Sequence, residues 1–307
     1  MSDRPLVILT EYLDDDAIAW LAERVDLQQC PADDPGFPSL LDRAEGIVIR
    51  TYTEVDCDFL DKAPMLKVVG RGGVGLDNVD LEACAQRGIE VVNTPDANTQ
   101  AVVEYVSMIM TSQLRPHEQL NEAVDAVAWG HLRDGNIVPR QMSEMTLGIL
   151  GLGRIGSRIA EVGTAIGFRV VYNDLVEIPV DHRHGAQPVD LDTVLSESDV
   201  LTIHVDGRPS NRDFLSADRI AQLLPTVLLL NTSRGFVLDV GALAEFLRAP
   251  EDARAVLDVH EPEPIPSDYP LLGLPNAVLY PHLASRTRAA QANMSWVVRD
   301  VARVLGR

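Results

Sequence analysis

The stretch Thr146-Leu147-Gly148-Ile149-Leu150-Gly151-Leu152-Gly153-Arg154-Ile155-Gly156 decides the fold. A run of strand length, Thr146–Leu150, leads into a G-x-G-x-x-G turn, and Arg154–Ile166 then carries a helical pattern. A second strand pattern, Arg169–Tyr172, is followed by Asp174, which lies 18 positions past Gly156. Strand, glycine turn, helix and a carboxylate at the end of the next strand form a dinucleotide-binding arrangement. Gly151 permits the tight turn, Gly153 lets the backbone approach a pyrophosphate, and Gly156 allows close helix–strand packing. The helix start offers N–H donors and the positive end of its dipole. Asp174 can accept from two ribose hydroxyls but repels a 2′-phosphate, and Leu175-Val176 supply no arginine to offset that. The expected cofactor is NAD rather than NADP.

Outward from this turn, short Val-, Ile- and Leu-rich runs alternate with helical patterns. They are Leu6–Leu9, Gly46–Ile49, Leu66–Val69, Glu90–Val92, Val200–His204, Val227–Asn231, Ala255–Asp258 and Ala277–Leu279. Such runs predict strands buried on both faces of parallel sheets, and repeated βα units predict a doubly wound α/β architecture. Pro31–Pro38 and Val176–Pro188 read as loops. A helix opens near Asn98-Thr99, and a domain crossing is expected near its start, before the largely polar stretch Glu118–Gln141. One last helix is expected over Arg288–Val304, returning the chain to the N-terminal domain. The glycine pattern also occurs at Gly70, Gly72 and Gly75, but the strand after it runs into Asn93-Thr94-Pro95 with no acid. That copy is either a loop exposing N–H groups to a small anion or a turn that needs glycine.

The chain has 307 residues, enough for about two domains. Its formal net charge of −20 argues against nucleic-acid and anionic-membrane partners, which need a basic face. The 3 cysteines show no CxxC spacing, so neither a disulfide framework nor a zinc ribbon is expected. Met1-Ser2-Asp3-Arg4-Pro5 does not resemble a signal peptide. His182 and His184 lie in a polar stretch without a third ligand, so no metal site is expected.

Hydride transfer to a carbonyl requires a substrate anchor, a proton donor and a group that holds the donor. Candidates stand at the ends of late strands: Arg234 in Asn231–Gly235, Glu263 in Asp258–Glu263, and His282 in Tyr280–Ser285. Taken singly, each is equally a surface ion pair, a solvated loop residue or a structural histidine.

In their order along the chain, the glycine turn with Asp174 and these three segments resemble the D-isomer-specific 2-hydroxyacid dehydrogenases. Val69–Asp80 and Asn93-Thr94-Pro95 resemble that family too, particularly its D-3-phosphoglycerate dehydrogenase branch. The resemblance covers essentially the whole chain and implies two doubly wound parallel-sheet domains. A flavodoxin-like substrate domain (1–97 and 284–307) would be interrupted by a Rossmann cofactor domain (98–283). Arg234 would bind the substrate carboxylate and carbonyl. His282 would be the general acid in reduction and the base in oxidation, with Glu263 paired to it so that the charged imidazole is stabilised. The backbone at Val74 and Gly75 would hold the substrate carboxylate. Arg154, Ile155, Thr232 and Asp258 would join Gly151, Gly153, Gly156 and Asp174 in holding NAD, with Asp258 near the nicotinamide amide. The cysteine usage points to a cytoplasmic compartment and the length to no appended regulatory domain, while the resemblance implies a homodimer.

Several positions depart from the family pattern. His260 stands where an aromatic residue is usual, Asp206 where proline is common, and Arg286 and Arg288 where small or polar residues follow the histidine. Arg50 matches a position that binds a second anionic group, which suggests a small 2-oxo acid carrying a second negative charge met by Arg50 and Arg286. Two alternative readings exist: an NAD-binding redox-sensing corepressor with little turnover, and a formate- or phosphite-type dehydrogenase.

Overall fold

The computed structural model describes residues 4–115, 119–249 and 252–307. Met1–Asp3 and Glu118, on which the readings of the N-terminus and of the start of the polar stretch fall, lie outside them. Two compact units are present, Met1–Ala101 with Ser285–Arg307, and Val102–Ala284. The chain passes from the first to the second within the helix Thr99–Leu114 and returns after Ala284.

The first unit is built on β1 (Leu6–Leu9), β2 (Asp26–Gln29), β3 (Gly46–Ile49), β4 (Val68–Arg71) and β5 (Glu90–Asn93). Their order is β2-β1-β3-β4-β5, and every pairing is parallel. Alternation along the strands splits the core. Ile8, Ile47, Ile49 and Val69 pack under Phe37, Leu41 and Leu60, while Val7, Leu9, Val48 and Val68 pack against Val297, Val298 and Val301. Gly70 sits in β4 because a Cβ there would come within 2.3 Å of Val301 Cγ2. The C-terminal segment is thus bound closely to this sheet.

The second unit carries β6 (Thr146–Leu150), β7 (Arg169–Asn173), β8 (Gln187–Pro188), β9 (Val200–Ile203), β10 (Leu228–Asn231), β11 (Arg254–Leu257) and β12 (Ala277–Leu279). The order is β12-β11-β10-β9-β6-β7-β8, again all parallel. Strand order reverses between β6 and β9, and the crevice outside the carboxyl ends at such a switch point is where ligands of open α/β sheets bind. Both sheets are doubly wound, as the alternating runs predict.

Three local expectations are corrected. Edge strands β2 and β8 were not anticipated: β2 reads DLQQ with an exposed or half-buried pattern, and β8 is two exposed residues inside the stretch read as a loop. The stretch read as a loop over Pro31–Pro38 ends inside the helix Phe37–Leu41. The final helix is two helices, Arg288–Ser295 and Val298–Val304. At the break, Trp296 and Val297 donate to the carbonyls three residues back, Asn293 and Met294, at 3.3 and 3.4 Å. Ser295 Oγ donates to the Gln291 carbonyl at 2.8 Å, a contact that bends helices. Among the described residues, no helix is long and apolar enough to cross a membrane, and no group of three His, Cys, Asp or Glu could hold a metal ion.

Candidate active site

The glycine turn joins β6 to the helix Arg154–Ile166. Gly151 has φ +87°, and a Cβ on it would lie 2.8 Å from the His204 carbonyl oxygen, so only glycine fits where the exits of β6 and β9 meet. A Cβ on Gly156 would lie 2.1 Å from the Gly151 oxygen. Over Gly153 a Cβ would meet nothing within 4 Å, which leaves the backbone open to a ligand. Arg154 and Ile155 are the first residues of the helix. Asp174 is drawn to this turn: Leu152 N donates to its Oδ2 at 2.7 Å and Val176 N to its Oδ1 at 3.1 Å. Each oxygen keeps a lone pair for a ribose hydroxyl. At the end of β10, Thr232 Oγ1 is buried with no hydrogen-bond partner among the described residues, an orphaned group of the kind a bound ligand satisfies. An NAD pyrophosphate and adenosine ribose fit this set.

Beyond β10 the chain folds back on itself. Asn231 Oδ1 accepts from Ser233 N at 3.0 Å and Ser233 Oγ at 2.9 Å, and Asn231 Nδ2 donates to the Arg234 carbonyl at 2.9 Å. Arg234 Nη1 donates to the Ser233 carbonyl at 2.7 Å. Gly235 lies against the segment after β11, since a Cβ there would come within 2.0 Å of the His260 carbonyl carbon. The loop bearing Arg234 and the loop bearing Glu263 are therefore in direct contact.

His282 Nδ1 is 2.8 Å from Glu263 Oε2. Glu263 Oε1 accepts from His260 N at 2.9 Å. Burial pushes the Glu263 carboxyl up, but the hydrogen bonds from His282 and His260 N outweigh it and hold the group below its ordinary value. His282 has φ +55°, a left-handed conformation that non-glycine residues rarely adopt. It is held there by Asp258: the Asp258 carbonyl accepts from His282 N at 2.9 Å, and its carboxylate accepts from Leu283 N at 2.7 Å and Ala284 N at 2.8 Å. Asp258 is 1% exposed, so its side chain is committed first to this turn. Burial drives the hydroxyl of the neighbouring Tyr105 upward, and the Asp258 carboxylate adds to that shift.

The first unit contains a separate cluster. The Glu11 carboxylate accepts from the N–H groups of Arg50, Thr51, Tyr52 and Thr53 at 2.9–3.2 Å. It shapes the turn after β3, and although burial opposes them, those donors hold its carboxyl below the usual value. Arg50 is half-buried, and burial followed by the like charge of Arg286 lowers its guanidinium from its ordinary value. Neither arginine forms an ion pair with a carboxylate among the described residues. Val74 is fixed by Asn93 Nδ2, which donates to its carbonyl at 2.8 Å. The N–H groups of Val74 and Gly75 donate to no backbone carbonyl among the described residues.

Two features were not anticipated. Arg208 forms a bidentate pair with Asp206 at 2.7 and 2.5 Å, and the Asp174 carboxylate contributes to raising its pKa. Arg208 thus acts on Asp174 only electrostatically from the loop after β9, with its guanidinium already taken by Asp206. Arg212 likewise pairs with Glu261 at 2.6 and 2.8 Å and stacks on Phe236. No local sequence signal links either arginine to its site, because each approaches from a different strand exit.

Residues 107–284 match the family model of the D-isomer specific 2-hydroxyacid dehydrogenase, NAD binding domain. The chain is 33% identical over 306 residues to a glyoxylate reductase of Aeropyrum pernix, covering 97% of this chain and 91% of that one. It is 36% identical over 257 residues to a D-3-phosphoglycerate dehydrogenase of Archaeoglobus fulgidus, covering 83% of this chain and 48% of the relative. The match thus spans about half the length of that protein. A crystal structure of a D-lactate dehydrogenase from Aquifex aeolicus, complexed with NAD and lactic acid, has a TM-score of 0.82 at 26% identity. It covers 98% of this chain and 94% of that chain.

Proposed function

We infer that this chain, which belongs to the D-isomer-specific 2-hydroxyacid dehydrogenases, interconverts a small D-2-hydroxy acid and its 2-oxo acid with NAD. The observation that carries the reading is the His282–Glu263 pair at 2.8 Å, borne by the sheet whose glycine turn suits a dinucleotide. Bound NADH supplies the hydride, and NAD⁺ accepts it in the reverse direction. Glu263 engages His282 Nδ1 and so fixes the ring's orientation and stabilises its charged form. His282 Nε2 then gives its proton to the carbonyl oxygen in reduction and takes the hydroxyl proton in oxidation. Arg234 holds the substrate carboxylate through charge-assisted hydrogen bonds. Gly151, Gly153, Arg154, Ile155, Gly156, Asp174 and Thr232 hold the cofactor, and Asp258 braces the turn that carries His282.

In the first unit, the N–H groups of Val74 and Gly75 suit a carboxylate, and Arg50 beside Arg286 supports a substrate with a second negative group. Two like charges held together, one of them half-buried, favour an anion between them. NADH consumption across glyoxylate, pyruvate, hydroxypyruvate, phosphohydroxypyruvate, oxaloacetate, phosphonopyruvate and sulfopyruvate tests this. The doubly anionic substrates should show the highest kcat/KM. Arg50→Ala should lower it for them by about 10-fold or more, the worth of one charge-assisted hydrogen bond, and leave glyoxylate within about two-fold. Preference for pyruvate together with an inert Arg50→Ala would refute the second-anion reading.

A homodimer is the proposed assembly. The helix Ala126–Gly135 contributes no buried residue, while Val127, Trp129 and the adjoining Ile137 are 68%, 50% and 75% exposed. A second copy of the chain would cover exposed apolar side chains of this segment. Sedimentation should give twice the chain mass and Trp129→Glu should halve it; a single-chain mass for the unmodified protein refutes the assembly.

A further inference from the structure

His260, the residue that replaces an expected aromatic, makes contacts that all lead to the catalytic pair. Its N–H donates to Glu263 Oε1 at 2.9 Å. Its Nε2 is 2.9 Å from the Tyr280 carbonyl oxygen, two residues before His282. Its Nδ1 is 3.3 Å from the Tyr269 hydroxyl, and the two rings meet edge to face with centroids 5.5 Å apart at 90°. A carbonyl only accepts, so in the neutral ring Nε2 carries the hydrogen and Nδ1 accepts from Tyr269. Tyr269 is 5% exposed and gives the ring a rigid backing. On the other side, the His260 main chain abuts Gly235, next to Arg234. The remaining charged group on this segment, Glu261, is occupied by Arg212.

Glu263 and His282 stand on different loops, after β11 and β12, and Asp258 ties the start of the first loop to the turn of the second. His260 touches both: one oxygen of Glu263 through its N–H, and the main chain entering His282 through its ring. We propose that His260 is a positioning residue, its N–H on Glu263 and its Nε2–H on the Tyr280 carbonyl together setting the spacing of the Glu263–His282 pair. The proposal rests on the dehydrogenase reading and deepens it. A phenylalanine would keep the ring stack on Tyr269 and the N–H to Glu263 but lose the tie to Tyr280. A glutamine would restore an N–H donor at similar reach.

The test compares the full-length protein with His260→Phe and His260→Gln, using NADH and glyoxylate as probes. His260→Phe should lower kcat by about 10-fold, since small misplacements of a reacting group are costly. The NADH Kd and glyoxylate KM should stay within about two-fold, and His260→Gln should recover at least half of the lost kcat. A kcat within two-fold of the parent in His260→Phe overturns the proposal, as does a phenylalanine variant whose Kd, KM and kcat all worsen together without rescue by glutamine. A second readout needs no turnover: the hydrogen-bonded Nδ1 proton of His282, identified by its loss in His282→Ala, should exchange with solvent about 10-fold faster in His260→Phe. An unchanged exchange rate overturns the positioning role by itself. Failure of the unmodified protein to oxidise NADH with any 2-oxo acid would instead count against the dehydrogenase reading, while the exchange measurement still decides the role of His260.

Discussion

His282→Ala should lower kcat for 2-oxo acid reduction by about 10²–10⁴-fold, the usual worth of a positioned general acid, with the NADH Kd within about two-fold of the parent. Without the imidazole, the oxygen that gains negative charge as hydride arrives must draw its proton from water. The cofactor groups, Asp174 and the glycine turn, lie on other strand exits and are unaffected. Glu263→Gln should fall between the two proteins, because the ring stays in place but loses the carboxylate that stabilises its charged form. Stopped-flow and steady-state NADH absorbance report kcat, and fluorescence titration reports binding. Unchanged NADH oxidation by His282→Ala would remove the proposed acid from the mechanism.

The other large effect is expected for Asp258→Ala. Burial pushes the Asp258 carboxyl up, and the N–H groups of Leu283 and Ala284 pull it back without overcoming that push. Removing it therefore relieves a desolvated charge. It also strands two N–H groups, Ala284 N in a buried setting, at about 1–3 kcal/mol each. The left-handed His282 costs roughly 1 kcal/mol or more to hold and would relax once the brace is gone. The stranded donors outweigh the relief, so a net loss of about 2 kcal/mol is expected, or about 4–8 °C in melting temperature for a unit of this size. The relaxed turn misplaces His282, and kcat should fall by about 10-fold or more. Calorimetry and NADH-coupled kinetics measure the two consequences. A variant that matches the parent in both would show that Asp258 is not the brace.

What could be read in advance follows from how local each signal is. The turn at Gly151–Gly156 and Asp174 was legible because strand, glycines, helix and acid fall within one βαβ unit whose spacing is set by backbone geometry. The central strands were legible because burial on both faces demands continuous Val, Ile and Leu. Strand β2 was not, since DLQQ lies at the sheet edge and becomes a strand only through its pairing with β1. The break at Trp296 depends on Ser295, which accepts from Asp14 N at 2.9 Å across 281 positions. Among the site residues, Arg234, Glu263 and His282 could be picked out only as an ordered set. The role of Glu11 was invisible because the turn it organises begins 39 positions later. Arg208 was missed for the same reason: its electrostatic effect on Asp174 arises across separate strand exits, where β6 and β9 meet at the switch point.

The most direct test is to incubate the protein with NADH and the panel of 2-oxo acids and determine the configuration of the hydroxy acid formed. The account predicts stoichiometric NADH oxidation with at least one substrate, a D-2-hydroxy acid as the product, and loss of both in His282→Ala. An L product, or a protein that binds NADH tightly yet reduces none of the 2-oxo acids, would contradict it.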